Sequence, residues 1–143
     1  MRPNVQMAFA CENVTNEAGG PVSFQNIMDG IGAPEFPATT GRWFAVFCFF
    51  GQVEQTITNC RVVVAHENGD IVAQTALKDM TFAPGRQISR NVIAFAGLAW
   101  PHPGLYFITF IANRADVLAS FPMVVQQTAP DERAAHDAPA RSG

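Results

Sequence analysis

The chain has one tyrosine, one lysine and three histidines in 143 residues, and charged side chains make up only 15% of it. Twelve acids against nine bases leave a formal net charge of −3, and the arginines at 42, 61, 86, 90 and 114 are scattered along the chain. That composition supplies no electrostatic attraction to a phosphate backbone, so nucleic-acid binding is disfavoured. The longest apolar run, Trp43 to Phe50, is eight residues, far short of the ~20 that a membrane-spanning helix needs. Met1-Arg2-Pro3-Asn4 leads straight into a strand pattern without an apolar leader core, so no secretory signal is expected. Neither GxGxxG nor GxxxxGKS/T occurs, and a phosphate-cradling loop is not indicated. No cofactor is expected.

Cysteine is scarce too. Cys11, Cys48 and Cys60 are an odd number without CxxC or other ligand spacing. They read as small buried hydrophobes of a protein in a reducing, cytoplasmic compartment.

What the chain does have is apolar and turn-forming residues: 48% hydrophobic, with 12 Phe, 11 Gly and 10 Pro. Its length suits one domain, burying about two thirds of the surface that the unfolded chain exposes. Val5, Met7, Phe9 and Cys11 alternate with more polar neighbours, which predicts a first strand over 4–12. Phe24, Ile27, Met28 and Ile31 instead fall at i, i+3, i+4 and i+7 after Ser23, which predicts a short helix over 23–30. Trp43 to Phe50 is apolar at both parities, so a central strand covered on both faces is expected.

Cys60, Val62 and Val64 alternate up to Asn68-Gly69, a strong hairpin signal, and a strand returns over 71–78. Residues 87–95 resume an extended pattern whose polar share marks an edge strand. The best hairpin runs from Gly104-Leu105-Tyr106 through Ala112, turns at Asn113 to Asp116, and returns to Val125. Arg114 and Asp116 can form a surface ion pair there. Beyond Val125 the composition shifts to a polar, Ala- and Pro-rich tail, so 1–127 is expected to be the domain and 128–143 disordered. Together these features predict an all-β chain: an antiparallel two-sheet sandwich of about seven strands, with one short helical insertion after the first strand.

The segment His102-Pro103-Gly104-Leu105-Tyr106-Phe107-Ile108 resembles the D-x-G-x-Y-x-C stretch that opens the sixth strand of immunoglobulin-like domains. Gly104 and Tyr106 match it, while His102 replaces the acid and Ile108 the cysteine. The resemblance implies an immunoglobulin-like sandwich with a tyrosine corner, in which the Tyr106 hydroxyl bonds to backbone a few residues upstream. More broadly, Phe9-Ala10-Cys11-Glu12, Ser23-Phe24, Ile27 to Ile31, Phe36-Pro37, Asn68-Gly69-Asp70 and Phe121 to Val125 resemble an uncharacterised family of small bacterial proteins, a domain of unknown function. That resemblance implies a fold and no activity.

Chemistry is thin. His66 sits at a turn and His136 in the tail, and no histidine neighbours a Cys or Ser in a recognised motif, so solvent-facing histidines are expected. His66, Glu67 and Asp70 are better explained by a polar turn than by a metal. The candidate interaction loop is Trp100 with His102, bracketed by Pro101 and Pro103; a core plug is the favoured reading of Trp100, since a large aromatic is usually well buried. The leading expectation is a non-enzymatic module that binds a protein partner or self-associates. A binder of small apolar ligands, with a pocket between the 23–30 helix and strand 43–50, comes second. An enzyme using Cys11, Cys48 or Cys60 comes last.

Overall fold

The computed structural model describes residues 2–16, 21–82 and 84–129. Twelve strands form among them: β1 (Asn4–Asn16), β2 (Val22–Met28), β3 (Gly30–Ala33), β4 (Ala38–Thr39), β5 (Trp43–Phe50), β6 (Thr56–His66), β7 (Ile71–Gln74), β8 (Lys78–Thr81), β9 (Ile88–Phe95), β10 (Ala99–Trp100), β11 (Gly104–Ala112) and β12 (Asp116–Gln127). One sheet has the order β2-β1-β5-β9; the other has β3-β12-β11-β6-β7, with β8 also paired to β6. A two-stranded piece, β10-β4, completes the body. All pairings are antiparallel except β3 with β12.

The core lies between the two large sheets because alternation turns one face of each toward the other. From β5 come Trp43, Ala45, Phe47 and Phe49; facing them are Val62 and Val64 of β6, Ile108 and Phe110 of β11, and Phe121, Met123 and Val125 of β12. Phenylalanine rings interlock across the interface: Phe47 lies 5.4 Å from Phe110 and 5.5 Å from Phe121, and Phe49 lies 4.8 Å from Phe110. Burying one such side chain stabilises by about 1.5–3 kcal/mol, so these rings carry a large share of the stability.

Six of the seven expected strands are present as single strands, and the edge position expected for 87–95 is that of β9. The helix is absent: residues 23–30 belong to β2 and β3, and no helix occurs among the described residues. The reason lies in a switch of face. Phe24 packs in a cluster on the outer face of the first sheet, whereas Met28 and Ile31 pack on the main core. Between them Asn26 takes a positive φ of 59°, which breaks the two-residue parity. Asp29 then separates β2 from β3, which crosses to the second sheet. An interrupted period of two imitates one of 3.6.

The strand count was also too low. The expected strand 71–78 is two pieces, because the chain leaves β6 after Gln74 and rejoins it at Lys78. Thr75 bridges the break: its backbone N–H donates to the Val62 carbonyl at 3.0 Å, and its hydroxyl accepts the Val62 N–H at 2.9 Å. Of the expected tail, Thr128 donates its N–H to the Ala33 carbonyl at 2.9 Å, and residues 130–143 lie outside the described residues. The Arg114–Asp116 pair does not form; the Asp116 carboxylate faces the Asn113 amide at 3.5 Å instead. Asn113 and Arg114 have φ of 50° and 73°, the paired positive values of a tight hairpin turn.

The tyrosine corner is present. Tyr106 is fully buried, and its hydroxyl donates to the His102 carbonyl at 2.5 Å. The inter-sheet disulfide of antibody domains is absent, since Cys11, Cys48 and Cys60 are all free. Just ahead of the tyrosine, Gly104 has φ 143°, and a Cβ there would collide with His66 Nε2.

Tyr106→Phe leaves the His102 carbonyl without this donor and should cost about 0.5–1.5 kcal/mol in urea unfolding. Gly104→Ala should cost roughly 1–3 kcal/mol, and adding His66→Ala should recover part of that loss in a double-mutant cycle. Gly69→Ala is the control: Gly69 has φ 101°, but a Cβ there would meet nothing within 4 Å, so removing His66 should not rescue it.

Candidate functional site

Trp100 and His102 part company in the folded chain. Pairing of β10 with β4 sets Trp100 opposite Ala38, and the indole is fully buried. Its Nε1–H donates to Thr40 Oγ1 at 3.2 Å, and its ring packs edge-on to Tyr106 at 4.9 Å and stacks on Trp43 at 6.1 Å. The tryptophan is thus the plug of the sandwich end, the favoured of its two expected placements. His102 is half-buried.

The His102 ring lies 4.4 Å from that of His66, and His66 in turn lies 4.9 Å from Tyr106. The expectation of a solvent-facing His66 is therefore corrected: it is half-buried in a cluster. Sequence separation hid this meeting, although the register that pairs Tyr106 with His66 enforces it. His66 Nδ1 accepts the Asn68 N–H at 3.1 Å, which leaves Nε2 to carry the proton of the neutral ring. Glu67 is spent on structure, with Oε2 accepting the Leu105 N–H at 3.0 Å. Among the described residues no group of three or more His, Cys, Asp or Glu is placed to hold a metal. Burial raises the Tyr106 hydroxyl above its usual range.

The cysteines sit in two places. Cys60 belongs to the main core, while Cys11 and Cys48 join Val46 in the smaller cluster on the outer face of the first sheet. Register places Cys11 opposite Phe44 and Cys48 opposite Met7, so these two thiols do not face each other. Burial pushes all three thiols up; nearby Arg90 partly counters this at Cys48, as does a backbone hydrogen bond at Cys11 and at Cys60. A raised thiol is a poor nucleophile.

The pocket expected between a helix and strand 43–50 loses its basis, because β1 lies between β2 and β5 within one sheet.

The outer face of that sheet was only half legible in the sequence. β5 turns Phe44, Val46, Cys48 and Phe50 outward, and neighbouring strands extend them into rows: Ile27–Cys11–Phe44–Ala94, Phe9–Val46–Val92 and Phe50–Ile88. Cys11, Val46 and Cys48 are fully buried beneath partly buried residues from β1, β2 and β5 alone. Above them Ile27 is 67% exposed and Phe50 48%, with Met7, Ile88 and Val92 at about two fifths. Arg42 lies over the Phe44 ring at 5.3 Å. An apolar face of this extent is what a docking surface looks like before it is covered.

No curated protein matches this chain. Among solved structures, the CARDB domain of the PF1109 protein from Pyrococcus furiosus is similar, with a TM-score of 0.41 and 14% identity over 89% of this chain and 96% of that one. A beta-glucosidase from Listeria innocua gives a TM-score of 0.44 and 8% identity over 89% of this chain, which spans only 16% of the glucosidase. Neither score carries an argument about function. A family model described as a family of unknown function (DUF6941) matches residues 6–128, which is most of the chain, and the chain belongs to that family.

Proposed function

We propose that this protein is a non-enzymatic, immunoglobulin-like β-sandwich that binds or assembles with a protein partner through the sheet β2-β1-β5-β9. One observation carries the reading: the outer face of that sheet is apolar across three strands, and its central strand has no polar side chain to offer water. Interfaces between proteins bury about 800 Å² on each side, somewhat more than half of it apolar. The rows centred on Phe44, Val46 and Phe50 supply apolar surface of that kind, with Arg42 and Arg90 as polar margin. Three free, buried thiols fit a reducing, cytoplasmic setting.

Replacing Ile27 and Phe50 together by Ser should change stability by less than about 1 kcal/mol, since both are largely exposed. The same pair should abolish self-association in light scattering, or the capture of a co-purifying partner. A wild-type protein that stays monomeric and partnerless, indistinguishable from the variant, removes the proposal.

A cysteine-dependent enzyme is the reading opposed to this one. Thiol labelling of the native protein should be slow at Cys11, Cys48 and Cys60, and fast labelling of any one would reopen it. The raised thiols and Tyr106 also set an alkaline limit. The unfolded chain loses these protons first, so stability is full below their usual values of 9.0 and 10.0 and falls as pH rises beyond them. Urea midpoints should therefore drop between neutral and strongly alkaline pH, and less so in Tyr106→Phe.

A further inference from the structure

We infer that the groove along the free side of β9 takes an extended, acidic segment of a protein partner, which adds to the sheet as its fifth strand. The inference rests on the proposed partner-binding role of this sheet and gives the partner a chemistry.

β9 ends its sheet and pairs with β5 at all eight positions without a bulge. It contains no proline, so its outer backbone groups form an unbroken template, the feature that folded proteins usually guard. The other edges are poorer templates. β2 carries a positive φ at Asn26, and β3, β7 and β8 have four residues each. In a standard immunoglobulin sandwich another strand covers the position beside β9. Here the chain between β7 and β9 gives β8 to β6, in the opposite sheet, and a cleft of about 320 Å³ separates β9 from it.

Charge names the occupant. Lys78 lines this cleft beside the single carboxylate of Asp79; Arg90, paired with Cys48, stands on the outer side of β9, and Arg86 lies just ahead of the strand, at a neighbouring hollow. Three of the nine cations of a chain with net charge −3, Lys78, Arg86 and Arg90, thus flank β9. Lys78 pairs with Cys60, a core residue, so it stands on the inner side of its sheet at the mouth of the cleft. A strand added to β9 alternates its side chains. Those on the outer side continue the apolar rows at Ile88 and Val92 and meet Arg90 between them, and those on the inner side meet Lys78. The fitting segment therefore alternates apolar and acidic residues. A second copy adding its own β9 would oppose Arg86 and Arg90 with the same cations, which like-charge repulsion disfavours.

The test uses the full chain and a short fluorescent peptide of alternating valine and glutamate, with an alternating valine and lysine peptide as control. The glutamate peptide should bind by anisotropy and slow amide exchange in residues 88–95. Lys78→Glu with Arg90→Glu should weaken it about tenfold or more. Equal binding of both peptides, binding without slowed exchange in β9, or concentration-dependent protection of β9 without peptide would each overturn the inference. If the peptide fails while the Ile27 and Phe50 substitutions still abolish association, the strand-adding groove is withdrawn and the apolar face stands. If both fail, the partner-binding role falls too.

Discussion

A strand with no polar side chain cannot leave either face in water, and β5 imposes that constraint on the whole molecule. Its inward residues are met by the second sheet, where Phe110 and Phe121 interleave with Phe47 and Phe49. The sheets pack face to face because that set of rings has nowhere else to go. Its outward residues have only their neighbours in the same sheet, so Cys11, Val46 and Cys48 are sealed by a single layer of partly exposed aromatics. One strand thus explains both the solid interior and the unusual apolar exterior.

The rest of the architecture serves to hold that packing in register. At one end the Tyr106 hydroxyl ties β11 back to the loop that precedes it, while Trp100 closes the gap between sheets with its indole N–H satisfied by Thr40. His66 fits beside them only because residue 104 lacks a side chain. Six aromatic rings, from Phe95 through Trp43, Trp100 and Tyr106 to His66 and His102, form a continuous series at this end. The Tyr106 hydroxyl and His66 Nδ1 are committed to backbone groups and the Trp100 indole to Thr40, while the Trp43 indole N–H is buried without a partner among the described residues. Such an arrangement fixes shape and leaves little free for chemistry.

Much of this was legible in the sequence. Period-two alternation marks β1, β6 and β11, the Asn68-Gly69 pair marks a hairpin, and Gly104 with Tyr106 marks the corner. Alternation fails where a strand changes face, and there Phe24, Ile27, Met28 and Ile31 counterfeited a helix around the positive φ of Asn26. The two-residue pieces β4 and β10 exist only because tertiary structure brings them together, which no local pattern encodes. Sites suffered the same way. The loop holding Trp100 and His102 stood out in the sequence, but the direction of each side chain did not. The arginines are scattered in sequence, and folding sets Arg86 and Arg90 beside the edge strand that Lys78 faces across the cleft.

Strands β2 and β3 are joined through Asp29 alone, yet they lie at the margins of different sheets. Asp29 is itself tied down, its carbonyl accepting the Val124 N–H at 3.0 Å. The sandwich is therefore bound like a book, with a covalent spine along one long side. Along the opposite side, β9 and the β7–β8 pieces face each other without backbone pairing between them. Thermal opening of such a body is lopsided: the spine holds while the fore-edge widens, because local opening begins where fewest contacts must break. Anything clasped at the fore-edge would stiffen the whole volume, and anything binding at the spine would not.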